Sequence, residues 1–323
     1  MSSEIESTAW VGDRPWHGLG VEVAEPMSSV EAIRAGGLDW EVEKRPLWTA
    51  DAEGKPTIDV ETHMAIVRKT DNSKLGIVGA NYVPVQNKDS FEFMDALVDE
   101  GLMRYHVVGS LRGGQRIWLL GKIGQSDILP KDTLDRYLLL WNTHDGSGAL
   151  RALFTSVRVV CANTARIALS QGKGEGVYLR HTTNIKNRLE KAKEVLGLAN
   201  KEFDLFVEFA QALSKLKMSA ANFEKFSEFL VPDNPEAESN TRAENTRMEL
   251  SNLFTDGRGQ DLPGVRGTGW AAYSAVVEFA NYFRSSRGGD AAQERRFESS
   301  LFGSGDQLIQ KSVGFLQKAM RAA

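Results

Sequence analysis

The sequence predicts an α+β protein, in which an antiparallel sheet of β-hairpins packs with helices and a C-terminal helical region follows. Three observations carry this. Three stretches between residues 63 and 155 have two β-rich arms around a turn-forming centre. From about residue 183 onward, apolar residues recur at helical spacing almost without interruption. The 323 residues, 41% hydrophobic and 25% charged, suffice for two domains or for one large domain with a helical extension. The expected division is an α+β core over 1–182 and a helical region over 183–323.

Residues 1–26 read as irregular, broken by Pro15, Gly18, Gly20 and Pro26. "SSVEAIRAGG" follows as a short helix, capped by Ser28 or Ser29 and stopped by Gly36 and Gly37. "HMAIVRKTDNSKLGIVGANYVPV" is a hairpin around Asp71 and Asn72, and "NKDSFEFMDALVDEGL" is a helix capped near Asn87 or Asp89. "YHVVGSLRGGQRIWLLGKI" is a second hairpin around Arg112, Gly113 and Gly114. Along its second arm Ile117, Leu119 and Ile123 share one face and Arg116, Trp118 and Lys122 the other. The third hairpin is "DRYLLLWNTHDGSGALRALFT", whose Asp145-Gly146 pair is a turn signal, so His144 and Asp145 are explained by a turn.

The next stretch, "TSVRVVCANTARIALSQGKG", has helical spacing. Val157, Val160, Cys161, Thr164 and Ala168 form one stripe, and Arg158, Ala162 and Arg166 form another. Later segments carry aromatic stripes expected to form a bundle core: Phe203 and Phe206; Phe223, Phe226 and Phe229; and Trp270 and Tyr273 of a helix capped at Thr268.

The chemistry visible in this order of residues is sparse. The five histidines, His17, His63, His106, His144 and His181, are far apart, and no metal-ligand spacing occurs. Cys161 sits on an apolar stripe and reads as buried and inert. No nucleophile elbow and no Walker loop is present. Neither a metal nor a cofactor is expected. An enzyme such as a nuclease would need His17, His144 and Asp145 gathered in space. The N-terminus lacks the features of a signal peptide, and no apolar run is long enough to span a membrane. With a single cysteine, the chain fits a reducing compartment such as the cytoplasm of a bacterial host.

Charge is distributed unevenly. The net charge is −4, yet residues 101–200 carry 15 Lys and Arg against 7 Asp and Glu, a surplus of +8. Such asymmetry suits a polyanion partner. The residues expected to meet phosphates are Arg112, Arg116, Lys122, Arg151, Arg158, Arg166 and Lys173, with Trp118 or Trp141 stacking on a base. Without a helix-turn-helix or zinc finger, single strands suit these residues better than duplex.

The stretches "RPWHGLG", "NYVPVQNKDSFEFMD", "GSLRGGQRIWLLGKI", "NTHDGSG", "TSVRVVCANTARIAL" and "GTGWAAYSAVVEFANYF", in this order, resemble the phage/plasmid-like protein family that contains domain of unknown function 932. The resemblance spans nearly the whole chain. It implies a place on phages, prophages or plasmids and no assigned reaction. The hairpin sheet followed by "RVVCANTARIAL" also looks like the core of phage single-strand annealing proteins. That likeness implies single-stranded DNA as partner, bound along a basic groove of a homo-oligomeric ring, in recombination. The alternative is a module that binds a host protein and no nucleic acid.

Overall fold

A computed structural model describes residues 5–11, 21–23, 28–148, 150–158, 163–166, 177–178, 185–284 and 292–322. The chain is α+β, with two sheets and a helical C-terminal region. His17, Cys161, Lys173 and His181 lie outside the described residues.

The first departure from local pattern is near the N-terminus, where proline and glycine predict an irregular segment. Strand β1 (Ile5–Val11) pairs antiparallel with β6 (Arg104–Leu111) and parallel with β2 (Val21–Val23). Ala9, Trp10 and Val11 are buried in this pairing. Only a partner some 100 positions away makes this segment a strand, so no local pattern announces it.

Helix α1 (Ser29–Ala35) begins with a full capping box. The Ser28 hydroxyl accepts from the Glu31 amide, and the Glu31 carboxylate accepts from the Ser28 amide at 2.8 Å. These bonds hold the Glu31 carboxyl below its ordinary pKa, the backbone bond contributing most. A separate three-stranded sheet follows, β3 (Val42–Ala50), β4 (Pro56–Arg68) and β5 (Lys74–Gly79), in that order. Its second turn is the expected one: Asn72 takes φ +61°, and Asp71 accepts from the Ser73 amide. Its first turn, residues 51–55, sits in a charged stretch that hides the β3–β4 pairing from a reading of hydrophobicity.

Helix α2 (Asn87–Val98) packs with α1 and β6. Phe91, Met94 and Leu97 are buried there, and the Tyr105 hydroxyl donates to the Asp95 carboxylate at 2.8 Å. The larger sheet runs β10-β9-β8-β7-β6-β1-β2, with β11 (Val177–Tyr178) also on β9. Its hairpins are β6 with β7 (Arg116–Leu129), and β8 (Asp132–Thr143) with β9 (Arg151–Arg158). The tip of the first hairpin places Arg112, Gly113 and Gly114 all at positive φ, which the glycines accommodate.

Where the stretch "TSVRVVCANTARIAL" is described, it is strand and not the expected helix. Val157 and Arg158 end β9, and Asn163–Arg166 form β10, paired antiparallel to it. The stretch is rich in β-branched residues, whose stiff χ1 favours strands. From Ala152 to Val157 every residue of β9 is buried, which erases the alternation that marks a half-exposed strand.

Compactness divides the chain into one unit of 1–123, 138–153 and 175–198, and a second of 124–137, 154–174 and 199–323. The second unit holds most of α3 (Ile185–Lys215), with α4 (Ala220–Leu230), α5 (Thr241–Asp256), α6 (Gly269–Glu278), α7 (Ala292–Phe302) and α8 (Ser304–Ala322). Aromatic stripes build its core as expected. The Phe206 ring centroid lies 5.9 Å from Tyr273 and 6.2 Å from Trp270, and Phe223 stacks on Phe254 at 4.2 Å. Phe229 departs from the pattern and is exposed. Every residue of α6 is buried, its start is capped by Thr268, and Trp270 Nε1 donates to the buried Asp132 carboxylate at 2.9 Å. Among the described residues no helix is long and apolar enough to cross a membrane.

Candidate functional site

The turn between β8 and β9 gathers polar residues, and their bonds decide its role. The His144 amide donates to the Gln115 carbonyl at 2.8 Å, and its Nε2 lies 2.9 Å from Asn87 Oδ1. The Asn87 side-chain amide donates to the carbonyls of Leu38 and Trp40. With both amide hydrogens so spent, Asn87 Oδ1 must accept, so His144 carries its proton on Nε2. Nδ1 is buried with no hydrogen-bond partner among the described residues. Burial pushes the imidazole pKa down to about 4, against a smaller upward pull from Asp145. The ring is therefore neutral at physiological pH and stands 5.4 Å from that of Trp40.

Asp145 accepts from the Ser147 amide and forms an ion pair with Arg116 at 3.1 Å. A Cβ at Gly76 of β5 would collide with the Asp145 backbone, so the turn is pressed against the smaller sheet. Asn142 donates to the Val85 carbonyl, and Thr143 to Gly148. These bonds close the turn on itself and fasten it to neighbouring segments. No group of three or more His, Cys, Asp or Glu among the described residues is close enough to hold a metal. The turn is architecture.

The expected phosphate contacts fare unevenly. Arg112 is exposed at the tip of the β6–β7 hairpin. Arg116 is spent on Asp145, and its side chain is 11% exposed. Trp118 is 1% exposed and Trp141 is buried, because the sheet is covered on both faces at these positions; neither offers a ring to a base. Lys122 is half-buried near the end of the same hairpin, and Arg151 is half-buried on β9 beside Gly148. Arg158 pairs in register with Asn163, and Arg166 with Thr155. Both positions therefore belong to paired strands, not to one helical stripe.

Two contributors escape a reading of the sequence. Arg104 lies directly across from Lys122 in the β6–β7 register, two like charges at one rung. Arg104 is exposed and has no ion-pair partner among the described residues. Lys193 of α3 pairs with Glu100 at 3.0 Å, which sets the basic first part of that helix beside the turn leading into β6. Register and a contact across 93 positions make this cluster, and neither is visible in residue order. The gathered cations can attract an anionic chain by charge, without chemistry.

No curated protein and no solved structure matches the chain. A family model described as Domain of unknown function (DUF932) matches residues 74–301, from the first residue of β5 almost to the end of α7. That is well over half of the chain, and the protein belongs to the DUF932 family.

Proposed function

We propose that the protein binds single-stranded nucleic acid, as a DNA-binding protein of a phage or plasmid that holds strands for annealing. The observation that carries this reading is the cation cluster at the open end of the β6–β7 hairpin. Register sets Arg104 directly across from Lys122, and the Arg104 side chain is exposed at this end of the hairpin, where an anionic chain can reach it. Lys193 of α3 lies beside this end through its pair with Glu100. Arg112 adds an exposed cation at the far tip of the same hairpin. The +8 surplus of residues 101–200 supplies the wider field.

Contact by charge, without stacked rings, favours the backbone over the bases, so binding is tolerant of sequence and steep in salt. Assembly into a homo-oligomeric ring would align many such clusters along one strand. Fluorescence anisotropy of a labelled oligonucleotide across a salt series tests the reading. Affinity should fall with salt, and single strands should bind at least as well as duplex. No binding at low salt contradicts it.

A second reading rests on the outer half of the β3–β4 ribbon. Trp48 is 51% and Ile58 66% exposed there, in a two-stranded arm with little cover. This arm suits a module that binds a host protein. Under that reading, changing Trp48 and Ile58 to Ser abolishes recovery of one stoichiometric host protein and leaves oligonucleotide binding untouched.

A further inference from the structure

The helical unit contains an open groove of about 1400 Å³ between the end of α4, the start of α5, the turn after α6 and α8. Its charges are unbalanced. Arg242, Arg284 and Lys311 line it against one carboxylate, Glu249. Arg242 and Arg284 have no ion-pair partner among the described residues. Arg242 also sits in the first turn of α5, where the helix macrodipole already repels a cation. The guanidinium of Arg284 is held below its ordinary pKa by burial, with a smaller contribution from Arg242. Lys311 is fixed by a 3.0 Å bond from Nζ to the Leu230 carbonyl and lies over the Phe229 ring at 4.8 Å.

The backbone is arranged to bring Arg284 here. Residues Phe279–Phe283 form a π-helical turn, closed by the Arg284 amide donating to the Phe279 carbonyl at 2.8 Å. Such turns recur at functional positions, because one extra residue per turn re-aims the side chains beyond it. In this case Phe283 is 47% exposed on the groove wall, next to Arg284. Asn245 and Gln307 also line the groove, and their side-chain amides have no hydrogen-bond partner among the described residues.

We propose that this groove binds a nucleoside phosphate. The planar forks of Arg242 and Arg284 match phosphate oxygens in pairs. The exposed Phe283 ring offers a flat apolar face for a base, and Asn245 and Gln307 offer amides for its edge. The groove is far larger than a bare phosphate requires. The site lies within one unit and owes nothing to the cluster around Arg104, so it stands apart from the single-strand reading.

Calorimetric titration of the full chain with adenosine monophosphate, adenosine, inorganic phosphate and a glutamate-rich peptide tests it. Adenosine monophosphate should bind more tightly than adenosine or phosphate. Arg242→Gln and Arg284→Gln should each weaken it about tenfold, roughly 1.4 kcal/mol. Phe283→Ala should weaken the nucleotide and leave phosphate unchanged. Arg242 is exposed, so Arg242→Gln reports on the site even where Arg284→Gln fails to fold. Arg104→Glu should leave the titration unaltered, which separates this site from the strand-binding cluster. The proposal is overturned by no heat with the nucleotide, by equal affinity for bare phosphate, by binding indifferent to Arg242→Gln, or by preference for the acidic peptide.

Discussion

The turn after β8 and the open end of the β6–β7 hairpin are built from the same polar vocabulary and use it in opposite ways. In the turn, Arg116 meets Asp145 and His144 meets Asn87, so each group is consumed in fastening β8, β7, α2 and the smaller sheet. At the hairpin end, Arg104 faces another cation across the rung and is exposed. A residue type says little about role. What stands within 3 Å of it decides whether it is spent on the fold or left over for a partner.

The contrast can be broken at several points. Trp118→Ala should cost the most, about 3–5 kcal/mol, because it empties a large site inside the sheet. Urea denaturation reads this; a stable variant that had instead lost oligonucleotide binding would return Trp118 to the ligand surface.

Next is the pH dependence set by His144. Its folded pKa of about 4 lies below the ordinary 6.5, so below pH 6.5 the unfolded chain takes a proton that the folded chain refuses. Stability from this group is complete above pH 6.5, falls as pH drops toward 4, and levels off below. The full loss is roughly 3 kcal/mol. His144→Gln should flatten that window in denaturation curves taken at several pH values.

Asn87→Ala should cost about 1–3 kcal/mol, since it strands the His144 Nε2 proton and two carbonyls in the interior. An unchanged midpoint would mean that the turn is not fastened as described. The smallest stability change, within about 0.5 kcal/mol, belongs to Arg104→Glu at an exposed position. Its effect should appear in binding instead, as a salt dependence lowered by about one phosphate contact.

Much of this architecture is readable from local patterns. The Asn72 turn, the two hairpins of the larger sheet, the Ser28 cap of α1 and the aromatic stripes of α3, α4 and α6 are short-range, and propensity and periodicity report them, whereas the cap of α2 is Gln86 and not the expected Asn87 or Asp89. Strands β1 and β3 are not legible, because distant pairing and a charged turn make them. The stretch from Ala152 to Val157 misleads for a different reason: buried on both faces, it loses the alternation that separates strand from helix. The candidate site suffers most. Arg116, Trp118 and Lys122 do alternate on one face, but sequence does not reveal that Asp145 neutralises the first and that the sheet encloses the second. Arg104 is inconspicuous until the register sets it opposite Lys122.

The most direct measurement compares oligonucleotide affinity for the native chain, Arg104→Glu, Lys122→Glu and Arg116→Ala at one low salt concentration. Loss of about tenfold or more in the first two variants, with Arg116→Ala near native once its folding is verified, is the predicted result. Equal affinity in all four, or a loss confined to Arg116→Ala, would contradict the account.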